Sequence, residues 1–196
     1  VTPDEALRAI LHRDDVSAIL IDGPSGSGKS TFADSLVAAR GARPTALVRL
    51  DDIYPGWSGL DAAIETVQTG ILGPWRRGER GGWRRWDWAR NEPGEWADVA
   101  PGLLVVEGCG AFGDDVTRSR VLFHVWVSAP DAVRKTRALE RDAGGFDEHW
   151  TMWDEQWRAY VDRADPERRA DIVVDTDAPA AETHTIRGDA GSTVGS

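Results

Sequence analysis

The stretch Asp22-Gly23-Pro24-Ser25-Gly26-Ser27-Gly28 constrains this chain most, because three glycines and a proline fall within seven residues. Such a segment can be neither helix nor strand. Regular structure frames it on both sides. Ser17–Ile21 is a short, nearly continuous apolar run, which marks a strand covered on both faces. Lys29–Ala39 reads as a helix with Phe32, Leu36 and Val37 on one side, and Thr45–Leu50 reads as a second strand. Strand, glycine loop, helix and strand within about 35 residues make a βαβ unit. Its crossover is right-handed, so the two strands run parallel.

The rhythm continues downstream. Leu103–Val106, Val121–Val127 and Ile172–Val174 are further buried strands by pattern. Helical stretches are expected at Thr2–Arg13, Leu60–Thr69, Pro130–Arg141 and His149–Arg163. Thr2 suits an N-cap with Pro3 in the first turn. In the last helix Trp150, Trp153, Trp157, Tyr160 and Val161 recur at helical spacing, the pattern of a core face. The expected class is α/β, three layers around a five-stranded parallel sheet. One domain is expected over residues 1–176, with an insertion at 70–101 and a short lid near 137–150; 177–196 reads as a loose polar tail.

Charge and composition exclude several roles. Lys+Arg total 23 against 33 Asp+Glu, a net charge of -10, which argues against a main role in gripping nucleic acid or an anionic membrane. Cys109 is the only cysteine, so neither an internal disulfide nor a cysteine-based zinc site is available. His12, His124, His149 and His184 show no ligand spacing. No apolar run reaches the roughly 18 residues of a membrane span. Val1–Asp15 lacks a signal peptide's apolar core, and the expected location is cytoplasmic.

Gly23 to Ser30 fits G-x-x-x-x-G-K-[ST], the phosphate-binding loop. Glycines let backbone N–H groups turn toward phosphate oxygens, and the following helix presents its positive end to the anion. Lys29 supplies a mobile point charge, and Ser30 a hydroxyl for Mg²⁺. The chain has only two lysines, Lys29 and Lys135, and one stands in this slot. In parallel sheets reactive groups gather at the carboxyl ends of strands. The second strand ends in Leu50-Asp51-Asp52-Ile53-Tyr54 and the third in Val106-Glu107-Gly108. With the third strand beside the first, Asp51 and Glu107 flank the glycine loop. A carboxylate there can accept a proton from an attacking hydroxyl or hold Mg²⁺.

Gly23 to Thr31, Leu50-Asp51-Asp52-Ile53-Tyr54 and Val105-Val106-Glu107-Gly108 together resemble the uridine kinase, pantothenate kinase and phosphoribulokinase group of phosphate-loop kinases. The resemblance spans most of Ser17 to Thr176. It implies the strand order 2-3-1-4-5, ATP and Mg²⁺ as cofactors, and a small-molecule alcohol as substrate, with a nucleoside first. By the same resemblance Gly23, Ser25, Gly26, Ser27, Gly28, Lys29, Ser30 and Thr31 hold the nucleotide phosphates. Asp51 is the base toward the acceptor hydroxyl, Lys29 acts on the moving phosphoryl group, and Ser30 and Glu107 lie at the metal. Tyr54, Trp57, Arg85 and Asp87 fall on the acceptor side, Asp87 through the segment Trp86-Asp87-Trp88. Arg134, Arg137 and Arg141 share a helical face, and Arg137 with the pair Arg141-Asp142 matches a lid that reaches the phosphates.

The chain also departs from that group. The lid between Ala143 and His149 is short, and the aromatic–histidine pair that grips a pyrimidine has no counterpart in the sequence. Instead Gly70–Arg90 interleaves Trp75, Trp83, Trp86 and Trp88 with six arginines, a composition that could stack a base, clamp a phosphorylated acceptor or grip nucleic acid. Other alcohols, such as a pantothenate-like, sugar or antibiotic hydroxyl, therefore stay open as acceptors. So do an ATP-binding switch without an acceptor and phosphorylation of nucleic-acid ends. A guanine-reading N-K-x-D is excluded, since Asn91 is the only asparagine and is followed by Glu92-Pro93. The oligomeric state is left open.

Overall fold

The computed structural model of the chain describes residues 1–114, 119–142 and 144–178. Ala143 of the expected lid and 179–196 of the expected tail lie outside the described residues. The central sheet is formed by β1 (Ala18–Asp22), β2 (Thr45–Arg49), β5 (Leu103–Glu107), β6 (Leu122–Ser128) and β7 (Ile172–Asp175), all parallel. A separate antiparallel hairpin, β3 (Gly82–Asp87) with β4 (Glu92–Asp98), stands between β2 and β5 in the chain. The sheet order is therefore β2-β5-β1-β6-β7. With the hairpin left out of the count, it is the 2-3-1-4-5 order expected.

The sheet is buried because its strands carry apolar residues toward both faces. All five residues of β1 are buried, as are all five of β5. Their alternation divides the core in two. Ile19 and Ile21 join Val105, Val125 and Val127 on one side, under α1 (Pro3–Leu11) and α2 (Lys29–Arg40), which add Ala6, Ile10, Phe32 and Leu36. Ala18 and Leu20 join Val48, Val106 and Trp126 on the other, under α3 (Leu60–Thr66) and α6 (Trp150–Ala164). Each large aliphatic side chain so buried contributes roughly 1.5–3 kcal/mol. Trp150, Trp153, Trp157 and Tyr160 of α6 are buried, as their spacing predicts. Thr2 and Glu5 form a reciprocal cap at the start of α1.

Two segments differ from the sequence pattern. The helix expected over 60–69 is α-helical only to Thr66; it widens into a π-helical turn (Val67–Leu72) and ends in α4 (Gly73–Arg76). The stretch 70–101, which has no readable period, holds the β3–β4 hairpin. Its alternation is hidden because β4 exposes most of its residues and the register shifts between Arg84 and Trp86. Asn91 adopts a positive φ of 53° to make the turn. Among the described residues no helix is long and apolar enough to cross a membrane.

Candidate functional site

The glycine loop leaves the end of β1, at the centre of the sheet, and enters α2 at Gly28. Two of its glycines are required by close neighbours. Gly23 sits at φ 146° with the carbonyl of Val127 where a Cβ would stand, and Gly26 at φ 77° meets the carbonyl of Arg134 in the same way. No side chain caps α2. Its first-turn N–H groups have no carbonyl partner within the helix, and they open on a cleft of about 200 Å³ lined by Ser25, Lys29, Ser30, Asp51, Glu107 and Arg137 among others. That combination of uncapped amides, a glycine-lined turn and a lysine suits the oxygens of a polyphosphate.

Asp22 anchors the loop from behind. Its fully buried carboxylate accepts hydrogen bonds from the N–H of Gly23 (2.7 Å), Gly110 (3.0 Å) and Phe112 (3.0 Å), and from the hydroxyl of Tyr160 (2.8 Å). Burial pushes this carboxyl above the usual range, and the four donors pull it back. The group thereby ties β1, the loop after β5 and α6 into one frame. Lys29 is buried too; its Nζ donates to the carbonyl of Pro24 at 2.8 Å and lies 3.6 Å from the Cys109 sulfur. Ser27 holds a buried hydroxyl, and Thr176, beyond β7, donates to the Ser27 carbonyl at 2.8 Å.

β5 pairs with β1 and β2, so the carboxyl ends of all three meet at the loop. Glu107 is 3% exposed, accepts from Ser30 Oγ at 3.4 Å and pairs with Arg49 at 3.1 Å. Burial raises its carboxyl; Lys29 opposes this, nearby Asp51 adds to it, and Arg49 opposes it again. Asp51 lies in a 3₁₀ turn (Leu50–Asp52) directly after β2. Its backbone carbonyl accepts from the indole N–H of Trp88 at 2.7 Å, and its side chain lines the cleft. Among the described residues no group of three or more His, Cys, Asp or Glu could hold a metal ion. Ser30 and Glu107 would hold Mg²⁺ together with phosphate oxygens, as such sites commonly share their ligands.

A second cleft, of about 350 Å³, opens on the other side of Asp51. Tyr54, Trp57, Trp88, Phe146 and Trp153 make it aromatic, and it shares Ser25, Asp51, Arg141 and Trp153 with the phosphate cleft. Trp57 is the hub, stacked on Phe146 (5.0 Å between centroids) and His149 (4.6 Å) and tilted against Trp88 (5.0 Å). A ring–histidine pair invisible in the sequence is thus assembled from residues 92 positions apart (149 less 57). A third cleft, of about 340 Å³, lies past the start of α2 between Leu7, Phe32, Arg137 and Thr176.

The structure brings together Ser25, Gly26, Gly28, Lys29, Ser30, Thr31, Asp51, Glu107, Arg137 and Arg141 around the first cleft, and Tyr54 and Trp57 around the second. Arg85 and Asp87 stand apart from both. Arg85 faces Asp52 at 3.7 Å, and the Asp87 carboxylate accepts the amides of Ala89 and Arg90 at 3.0 Å in the hairpin turn. The next residue, Trp88, lines the cleft instead. Arg134 leaves the arginine face of α5 (Asp131–Arg141): it is buried, paired with Asp131 and Asp154 and lying 5.5 Å over Trp150. Trp153 belongs both to the core and to the site, since its indole N–H donates to Ser25 Oγ at 2.9 Å. Helical spacing cannot separate those two roles, and no local signal marks Trp88, Phe146 or Thr176.

No protein-family model and no curated protein matches the chain. Solved structures do. One, described as a "Possible Uridine Kinase from Bacillus stearothermophilus", has a TM-score of 0.58 at 18% identity, covering 88% of this chain and 97% of that one. Another, a "putative fructose transport system kinase from Silicibacter sp. TM1040", has a TM-score of 0.57 at 18% identity, covering 88% of this chain and 98% of that one. At such identity the likeness shows a shared fold.

Proposed function

We propose that the protein is an ATP- and Mg²⁺-dependent kinase that transfers the γ-phosphoryl group to a hydroxyl of a small molecule, a nucleoside in the first instance. The observation that carries this reading is the junction at Asp51: a phosphate cradle and an aromatic cleft share Ser25, Asp51, Arg141 and Trp153. A donor and an acceptor would thus meet across one carboxylate. The fold shared with two proteins named as kinases supports it.

In this reading the first-turn amides of α2, Gly26, Gly28 and Thr31 bind the phosphate chain, and Lys29 and Arg137 neutralise its charge. Bound there, Mg·ATP supplies the phosphoryl group and a divalent charge. Ser30 and Glu107 orient the metal. Asp51 accepts the proton of the acceptor hydroxyl and aims its oxygen at the cradle. Tyr54, Trp57 and Trp153 hold the acceptor's body and exclude water. Little covalent chemistry falls to the protein, so positioning and electrostatics dominate. The cleft between Leu7, Phe32 and Thr176 is the side on which we place the nucleotide base, because it adjoins the cradle through Gly28, Thr31 and Arg137.

Incubation with Mg·ATP and a panel of nucleosides, sugars and other alcohols, followed by mass detection of phosphate esters, tests the reading. A phosphorylated product that depends on both Lys29 and Asp51 supports it. Full turnover by Asp51→Asn, with loss in Lys29→Ala, would remove the base role. Nucleotide binding with no product from any alcohol would favour a switch protein.

A further inference from the structure

The aromatic cleft carries charge in an arrangement that bears on what it admits. Three charged side chains line it: Asp51, Asp142 and Arg141. Arg141 is the sole cation among these, and its guanidinium is held by both oxygens of Asp142, Nε to Oδ1 at 2.7 Å and Nη2 to Oδ2 at 2.9 Å. The two-point pair offsets the charge of the guanidinium and occupies its Nε–Nη2 edge, leaving the Nη1 side as the cationic edge still open to a ligand. Arg85 of the hairpin faces Asp52 at 3.7 Å and does not line the cleft.

Three of the neutral donors on the walls are engaged as well. The Tyr54 hydroxyl donates to the Cys109 carbonyl at 2.9 Å, the Trp88 N–H to the Asp51 carbonyl at 2.7 Å, and the Trp153 N–H to Ser25 Oγ at 2.9 Å. Beyond the Trp57 indole N–H, what the cleft still offers is the Asp51 carboxylate and the faces of aromatic rings. Both are electrostatically negative, and both attract cations and donors.

We infer that this cleft selects its acceptor by charge: it takes ring-bearing alcohols that are neutral or carry a protonated amine, and it rejects carboxylates and phosphate esters. The inference rests on the reading of this cleft as the acceptor site, and it sharpens the alternatives left open by the sequence. Phosphorylated sugars and hydroxy acids leave the candidate set, while nucleosides and amino alcohols stay. An anion would meet Asp51 and Asp142 and only the Nη1 side of an already paired Arg141; a neutral or cationic acceptor needs no cation there.

The test uses three probes that share a benzyl alcohol and carry a neutral, cationic or anionic group opposite it: 1,4-benzenedimethanol, 4-(aminomethyl)benzyl alcohol and 4-(hydroxymethyl)benzoate. Their affinities for the full chain are read by tryptophan fluorescence without nucleotide. The amine is expected to bind at least as tightly as the diol, and the benzoate about tenfold more weakly than either. In Asp142→Asn, checked for folding by circular dichroism, the freed Arg141 should improve benzoate binding several-fold relative to the diol. Asp142→Ser serves if the amide variant misfolds. Equal or tighter binding of the benzoate by the native chain, binding of none of the three, or no benzoate gain in either variant overturns the inference. The order is measured without phosphoryl transfer, so it stands or falls apart from the kinase reading. A chain that ranks the probes as expected yet phosphorylates no alcohol would sink the kinase reading alone.

Discussion

The phosphate cradle and the aromatic cleft share four residues but are built by opposite means. The cradle comes from one contiguous loop, residues 22–31, seated on the central strand and locked by neighbouring strand ends. Its shape is backbone shape, held by the four bonds to Asp22 and by the glycines that let Val127 and Arg134 approach. The cleft comes from side chains on five separate pieces: Ser25 of the glycine loop, the turn after β2, the tip of the hairpin, the end of α5 with the segment after it, and α6. Its shape is side-chain packing around Trp57. The contrast teaches that a chain can fix donor chemistry locally and leave the choice of acceptor to long-range assembly.

The sharpest break between the two regions should come at Asp51, one of the four residues they share. Asp51→Asn is expected to lower kcat by about 10²–10⁴-fold, the usual worth of a positioned base, with nucleotide affinity preserved. Steady-state kinetics on any accepted alcohol, alongside nucleotide calorimetry, checks this. An unchanged kcat would separate Asp51 from the chemistry.

The next largest effect should fall on the frame of the cradle. Asp22→Asn places an amide NH₂ where donors already point, which should cost about 1–3 kcal/mol of stability. Denaturant melts measure the cost, and nucleotide KM should rise while the probe affinities of the cleft hold. A silent substitution would mean that the cradle does not depend on that anchor.

Trp88→Ala should do the reverse. Trp88 is 39% exposed, so stability should shift by less than about 0.5 kcal/mol. Acceptor KM is expected to rise about five- to tenfold for the loss of one aromatic wall, with nucleotide KM unchanged. Equal effects on both substrates would erase the distinction between the two regions.

The smallest effect concerns pH. The Glu107 carboxyl is raised in the folded chain, first by burial. Its contribution to stability is thus complete below the ordinary carboxylate range and is lost as pH rises through the folded value. Glu107→Gln removes that dependence, so its stability relative to the native chain should increase from about pH 4 toward neutrality. Thermal melts at several pH values follow it; a difference that stays flat or runs the other way contradicts the burial account.

The same contrast explains how much was legible in advance. The sheet strands, α1, α2, α5 and α6 follow from apolar runs, helical spacing and the glycine loop, since each signal is local and strong. The hairpin at 82–98 was hidden because its alternation is weak and one strand faces solvent. Within the site, Asp51 and Glu107 could be placed beside the loop from the strand ends together with the strand order that the resemblance implies. Trp88, Phe146 and Trp153 could not, because a tryptophan at helical spacing or in a turn reads the same whether it meets core, solvent or ligand.

Local residue patterns were enough to place the parallel strands, the glycine loop after the first of them and the carboxylates at the strand ends. Backbone chemistry and strand periodicity act over a few residues and leave a readable trace. Long-range packing set the meeting of Trp57 with His149, the burial of Arg134 while Arg137 and Arg141 line the clefts, and the place of Trp88 rather than Asp87 on the wall of the aromatic cleft. Those outcomes depend on which distant elements share a volume, and packing of that kind is settled by the whole fold at once rather than by any stretch of it.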